Sequence, residues 1–177
     1  MIKTVHGLTI ECVKGDITNQ PGMQAVVNAA NAELSPGGGV AGAIHKAAGE
    51  ALAKACEPWA PIEPTEAVVT EAFDLPNDYV IHCLGPVYGV NRPEDLLLRK
   101  CYDNILSAAE EKGIETVAVP ALSTGVFRYP LEEASDVAIK AVSDKACSLS
   151  HVKHVRFVLY DEKALNIHEA AMKRILE

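Results

Sequence analysis

The stretch "NAANAELSPGGGVAGAIHKAAG", residues 28–49, sets two asparagines and three consecutive glycines ahead of a segment with helical periodicity. Glycine at a helix entrance permits positive φ and lets a ligand approach the main chain with no Cβ in the way. The unpaired N–H groups of a helix start then hold phosphate without a basic side chain. A second stretch, "TVAVPALSTGVFRYPLEEAS", repeats this grammar as strand, Ser-Thr-Gly loop and helix. Two such loops can clamp a diphosphate from both sides. Apart from Arg128 neither loop carries Lys or Arg, so the clamp consists of amides and dipoles. At ~1.5–3 kcal/mol per hydrogen bond to a charged group, four or five bonds can leave micromolar binding, about −8 kcal/mol.

Neighbouring residues extend this chemistry. Asn28 and Asn31 bracket the end of an apolar strand; we assign Asn28 the structural role and Asn31 the ligand role. Asp16 in "KGDIT" follows another strand. Its carboxylate either caps a turn or accepts a hydrogen bond from an exocyclic base amine. Other phosphate and hydrolase motifs fit poorly. "GGGVAG" (37–42) satisfies G-x-G-x-x-G, but eight residues separate Asn28 from Gly37, and no strand-terminal acid follows at the dinucleotide spacing. No Lys follows the glycines, which excludes a Walker loop, and "ALSTG" is not the G-x-S-x-G of a serine hydrolase. Alone, the triple glycine reads equally well as a structural turn; the second loop tips it toward a ligand site.

Short β-branched runs must position these loops. Residues 8–14, 25–28, 67–72, 79–84, 116–121 and 155–160 read as strands, and an opening strand near 2–6 makes seven. Continuously apolar runs such as "AVVN" suit strands covered on both faces. Four helices are expected. The first runs from Val40, with an apolar stripe through Ala43, Ile44, Ala47, Ala48, Ala51, Leu52 and Ala55 held for four turns. The others cover 94–112, 131–147 and 162–176, the last capped by Asp161. Strands alternating with helices imply a three-layer α/β/α sandwich with a mixed, largely parallel central sheet. In such sheets ligands settle outside the carboxyl ends of strands, where adjacent connections diverge. The Pro-rich "EPWAPIEPTEA" (57–67) is expected to be an ordered surface crossing.

The 177 residues fit one domain, 1–177, and the 49% hydrophobic content is ordinary for a globular chain. The formal charge of −8, with 16 Lys+Arg against 24 Asp+Glu, argues against non-specific nucleic-acid binding. No apolar run suits a membrane span and no signal sequence is visible, so a cytoplasmic location is expected. The five scattered cysteines form no C-x-x-C pair and read as reduced, mostly buried thiols. His151 and His154 in "HVKH" lack acidic or thiol partners nearby, so neither a metal nor a cofactor is expected.

With these residues in place, the chain resembles the macro domain family of ADP-ribose-binding modules. The resemblance covers nearly the full length through "GDIT" (15–18), "VNAAN" (27–31), "GGGVAGAIHKAAG" (37–49), "IHCLGP" (81–86), "PALSTGVFRYP" (120–130) and "YDE" (160–162). It implies ADP-ribose across the carboxyl edge of the sheet. Asp16 would take the adenine amine, with the Ile17 backbone beside it and Tyr160 flanking the ring. Gly38, Gly39 and Val40 would form one phosphate loop, and Ser123, Thr124, Gly125 and Val126 the other. Asn31 would bind the distal ribose, with Phe127 packed against that sugar.

The same resemblance implies hydrolysis of mono-ADP-ribose esters on acidic side chains, or of O-acetyl-ADP-ribose, with ADP-ribosylated proteins as partners. Hydrolases of the family typically carry an aspartate two residues after the glycine run, where this chain has Ala41. A missing general base costs ~10²–10⁴ in rate. A water held by Asn31, the Gly39 loop and the substrate phosphate offers a route without it, with His45 as a weaker catalytic candidate. A non-catalytic ADP-ribose reader is the competing expectation. Binding of another nucleotide diphosphate, or of poly-ADP-ribose ends, is a third.

Overall fold

A computed structural model describes all residues, Met1–Glu177. Its strands are β1 (Ile2–Val5), β2 (Leu8–Lys14), β3 (Ala25–Ala29), β4 (Ala67–Glu71), β5 (Tyr79–Cys83), β6 (Thr116–Val119) and β7 (His154–Leu159). They form one sheet in the order β1-β2-β7-β6-β3-β5-β4. From β2 to β5 every neighbouring pair is parallel, and β1 and β4 close the edges antiparallel. The seven strands and the mixed sheet match the sequence expectation.

Side chains alternate across each strand and separate two cores. Val27, Ile81, Val117 and Phe157 join the larger core, beneath α3 (Glu94–Glu111), α4 (Leu131–Lys145) and α5 (Glu162–Leu176). Val26, Val80, Ala118 and Val158 join the smaller one, beneath α1 (Gly39–Ala48) and α2 (Glu50–Cys56). Each central strand is therefore apolar at successive positions because both its faces are covered. No helix is long and apolar enough to cross a membrane.

The helix expected to run unbroken from Val40 through Ala55 is two helices. Gly49, at φ 90° and ψ 173°, ends α1, and its N–H bonds to His45 O at 3.1 Å. The Asp74 N–H then takes Ala48 O at 3.2 Å, a contact no local pattern reveals. Asp161 caps α5 as expected, accepting from Ala164 N at 2.8 Å. The Pro-rich crossing is ordered: a 3₁₀ turn at Glu57–Trp59 leads to Ile62, which is buried and whose N–H bonds to Ala32 O at 2.8 Å. All five cysteines are free, four of them buried.

Candidate functional site

All five parallel strands end at one edge, and their spatial order sets out the candidate residues. Asp16 follows β2, Tyr160 follows β7, Ser123–Phe127 follow β6, and Asn31 follows β3. With strands ~4.8 Å apart, the three intervals from β2 to β3 spread these groups over about 14 Å. The connection from β3 enters α1 on the smaller-core face, whereas that from β6 enters α4 on the larger-core face. The two glycine-bearing loops thus diverge between adjacent strands, the crevice in which α/β sheets hold ligands.

The first loop presents main-chain donors. Gly39 sits at φ 56° and Gly38 at φ −89°, and α1 has no side-chain cap. The N–H groups of Gly39, Val40 and Ala41 have no intrahelical acceptor, and a left-handed residue leading into right-handed ones points such groups into a common concavity. Asn31 fastens the loop's other end. Its Nδ2 donates to Ser35 O at 2.9 Å, and its Oδ1 accepts from Ser35 N at 3.0 Å and Ser35 Oγ at 3.3 Å. One amide hydrogen of Asn31 remains for a ligand.

The second loop repeats the geometry from the other side. Ser123 lies at φ 66°, and Thr124, Gly125 and Val126 give their N–H groups to no backbone acceptor. Tyr129 N–H to Ser123 O and Arg128 N–H to Gly125 O, both 2.9 Å, close the loop, and Thr124 Oγ1 donates to Ala121 O at 2.8 Å. Phe127 is half-buried against the smaller core, and its carbonyl accepts from Tyr88 N–H at 2.8 Å.

At the far end, Asp16 Oδ1 accepts from Thr18 Oγ1 at 2.7 Å and Thr18 N at 2.9 Å. These bonds from Thr18, side chain first, hold the Asp16 carboxyl below its ordinary value. The turn-capping role is therefore realised, while Oδ2 stays clear of protein donors and available to an amine. Ile17 is buried, so it meets the edge through its backbone. Tyr160 is 90% exposed, and Gly15 N–H to Leu159 O at 2.9 Å holds together the two strand ends that Asp16 and Tyr160 follow.

His45, a catalytic candidate from sequence, is not presented at the edge. Its ring is buried, 6.4 Å from that of His82, and burial lowers its pKa. Helical phase accounts for this: His45 shares the inward stripe of α1 with Ala41, Ile44 and Ala48. Asn28 is fully buried and bonds to His82, consistent with a structural role.

Two supporting residues escaped the sequence reading. A Cβ on Gly42 would fall inside 3.0 Å of the Gly37 carbonyl, and one on Gly85 inside 3.0 Å of Ser123 Oγ. Each loop therefore leans on a glycine that is not itself a ligand. The G-x-G-x-x-G match contains Gly42 and the stretch "IHCLGP" contains Gly85, but nothing local gives either glycine this supporting role. Two hollows lie elsewhere. One of about 310 Å³, at the amino-terminal edge, is lined by Gln24, Asn77, Glu115 and Thr116. The other, of about 480 Å³ across α3, α4 and α5, is lined by Asp95, Arg99, Lys140 and Arg174. Neither adjoins the two loops, whose amide donors mark the chemistry better than volume does. No group of three or more His, Cys, Asp or Glu side chains is placed to hold a metal ion.

Comparison with known proteins bears on the family and the fold. The family model described as Macro domain matches residues 27–138. An O-acetyl-ADP-ribose deacetylase of Salmonella typhimurium is 42% identical over 164 residues, covering 90% of this chain and 91% of that protein. Among solved structures, the Oceanobacillus iheyensis macrodomain with ADP superposes with a TM-score of 0.94 at 34% identity, covering 99% of this chain and 96% of that one. The Trypanosoma brucei macrodomain in complex with ADP-ribose gives 0.86 at 33% identity, covering 92% and 68%. With a matching family model, relatives of this identity over nearly the whole length and a shared seven-stranded fold, the chain belongs to the macro domain family.

Proposed function

We propose that the protein binds ADP-ribose along the carboxyl edge of its sheet and hydrolyses its esters, either O-acetyl-ADP-ribose or mono-ADP-ribose on acidic side chains of proteins. The observation that carries this reading is the pair of opposed left-handed turns at Gly39 and Ser123, each followed by free amides. In a chain of net charge −8, such preorganised dipoles are the means of holding a diphosphate. Asp16 and Tyr160 take the adenine at one end, and Asn31 and Phe127 the distal ribose at the other. The Salmonella relative named as a deacetylase supports the ester chemistry.

In the proposed reaction a water lies between Asn31, the Gly39 loop and the substrate's own phosphate. Its oxygen adds to the acyl carbon of O-acetyl-ADP-ribose, and its proton passes to the phosphate. The bond from acyl carbon to ribose oxygen breaks as the phosphate hands that proton to the departing oxygen, giving acetic acid, which ionises to acetate, and a ribose hydroxyl. His45 takes no part, because its ring is buried behind the loop. Incubation with O-acetyl-ADP-ribose and with a peptide ADP-ribosylated on glutamate tests the reading; turnover no faster than in buffer removes the enzymatic claim.

A second reading, a reader that binds without cleaving, is favoured by one observation. Ala41 stands in the first turn of α1, so the position two residues beyond the glycines supplies no base. Binding without turnover is the outcome that selects it.

A further inference from the structure

The core beneath α1 contains a row of polar groups that the proposed chemistry does not use. Asn28 of β3 and His82 of β5 stand directly opposite each other, with Asn28 Nδ2 3.1 Å from His82 Nδ1. On the next strand, Thr70 Oγ1 donates to Glu71 O at 3.0 Å and lies 3.0 Å from His82 Nε2. With its proton on the carbonyl, the Thr70 hydroxyl accepts from His82 Nε2–H, and Cys56 Sγ lies 3.7 Å from the same nitrogen. His82 Nδ1 is then the bare nitrogen and accepts from the Asn28 amide. This assignment holds His82 neutral, in keeping with a pKa pushed down to about 3 by burial and by the neighbouring His45.

Once the tautomer is set, three of the molecule's five buried polar side-chain atoms without a protein partner lie here, Asn28 Oδ1 and both ring nitrogens of His45; the other two, Asn77 Oδ1 and Ser123 Oγ, lie elsewhere. His45 is 5% exposed and Asn28 0%, so bulk solvent does not serve them. An acceptor on the strand and a donor on the helix face the same small core, where Val26, Ala30, Ile44 and Ala48 also pack. The His45 ring stands over this row, 6.4 Å from the His82 ring and inclined to it at 46°. Orphaned buried groups of both kinds in one core are what a buried water satisfies.

We propose that His45 and Asn28 hold a buried water between α1 and β3, and that His45 acts through it as a positioning residue for the first phosphate loop. The loop runs from the end of β3 to the start of α1, so the seat of α1 on the sheet sets how far the Gly39–Ala41 amides stand from Asn31. A hydrogen-bonded bridge fixes that seat in direction as well as distance, which apolar contacts alone do not. The functional half of this inference rests on ADP-ribose being the ligand; the hydration site stands independently.

Two measurements test it. A high-resolution crystal structure of the free protein is expected to show an ordered water bonded to a His45 ring nitrogen and Asn28 Oδ1; a dry contact there overturns the hydration site. His45→Phe removes both nitrogens, and His45→Gln keeps a donor and an acceptor. Relative to wild type, His45→Phe is expected to weaken ADP-ribose about ten-fold while adenosine, which reaches only the Asp16 end, stays within two-fold, and His45→Gln is expected to recover most of the loss. Equal losses for both ligands, or no loss for either, overturn the positioning role. If His45→Phe does not fold, the ligand split in His45→Gln, smaller but in the same direction, and the crystallographic water decide. Wild-type protein that shows the water but binds no ADP-ribose would sink the functional reading alone.

Discussion

Asn31 grips Ser35 from both directions, donating to its carbonyl at 2.9 Å and accepting its N–H at 3.0 Å. The residue assigned to the distal ribose is therefore also the clasp of the loop that meets the diphosphate. Asn31→Ala removes both functions, and we expect ADP-ribose affinity to fall at least ten-fold, about 1.4 kcal/mol. Asn31→Asp keeps the acceptor for Ser35 but loses the donor and sets a charge near the diphosphate, so it should be no better. Calorimetry with ADP-ribose and ADP separates the roles: a loss confined to ADP-ribose reports the sugar contact, and an equal loss reports the clasp.

Gly42→Ala drives a methyl group into the Gly37 carbonyl. Overpacking of this kind costs ~1–3 kcal/mol, and here the strain is relieved by moving the glycine run. The expected result is a folded protein with ADP-ribose affinity down about 10–100-fold. Near wild-type binding would mean that the loop tolerates the displacement.

Asp16→Ala should cost ~1.5–3 kcal/mol in affinity if the free Oδ2 meets an adenine amine. Because the Thr18 hydrogen bonds lower its pKa, Asp16 stays ionised down to below the ordinary value of about 4. Its contribution to binding should accordingly be constant from pH 8 to 5 and lost only as the pH falls through the depressed value. A dissociation constant unchanged in Asp16→Ala would leave the residue with its turn alone.

Ala41→Asp separates the two functional readings. If catalysis lacks only a base, the new carboxylate raises turnover of O-acetyl-ADP-ribose by ~10²–10⁴ from a near-zero start. If the phosphate-assisted water already suffices, wild-type turnover is measurable and the substitution changes it little. Because Ala41 is buried, the melting temperature must be followed alongside.

His82 makes stability depend on pH. Its folded pKa of about 3 lies below the unfolded value near 6.5, so the unfolded chain binds more protons between them. Its contribution is complete above pH 6.5 and is lost as the pH falls toward 3. At pH 5 the expected loss is about 2 kcal/mol. Burial lowers the pKa of His45 and His168 as well, so they add to the loss in the same direction. Urea titrations at pH 7 and 5 therefore set a ceiling on the His82 share, and a total difference below ~0.5 kcal/mol would contradict the buried, neutral assignment.

Much of this architecture is legible in the chain itself. β-branched runs, each bounded by turn residues, mark all seven strands, and the cap at Asp161 is local chemistry. The break at Gly49 was missed because the apolar stripe keeps its phase across it, and what ends α1 is a left-handed glycine held by a distant Asp74. The inward turn of His45 follows helical phase, yet its neighbour His82 comes from another strand. Gly85 lies in "IHCLGP", but its role has no local signature, since the Ser123 hydroxyl that requires it arrives from 38 positions away.

The amino-acid order alone determined which segments become strands and helices, and where backbone can carry a left-handed turn without a side chain, because these depend on residues within a few positions of one another. Only the tertiary structure decided that β6 lies beside β3, so that two such turns face one crevice, and that Asn31 closes on Ser35 while His45 turns away. Strand order and burial are set by packing between segments far apart in the chain, and local propensity carries no record of those distances.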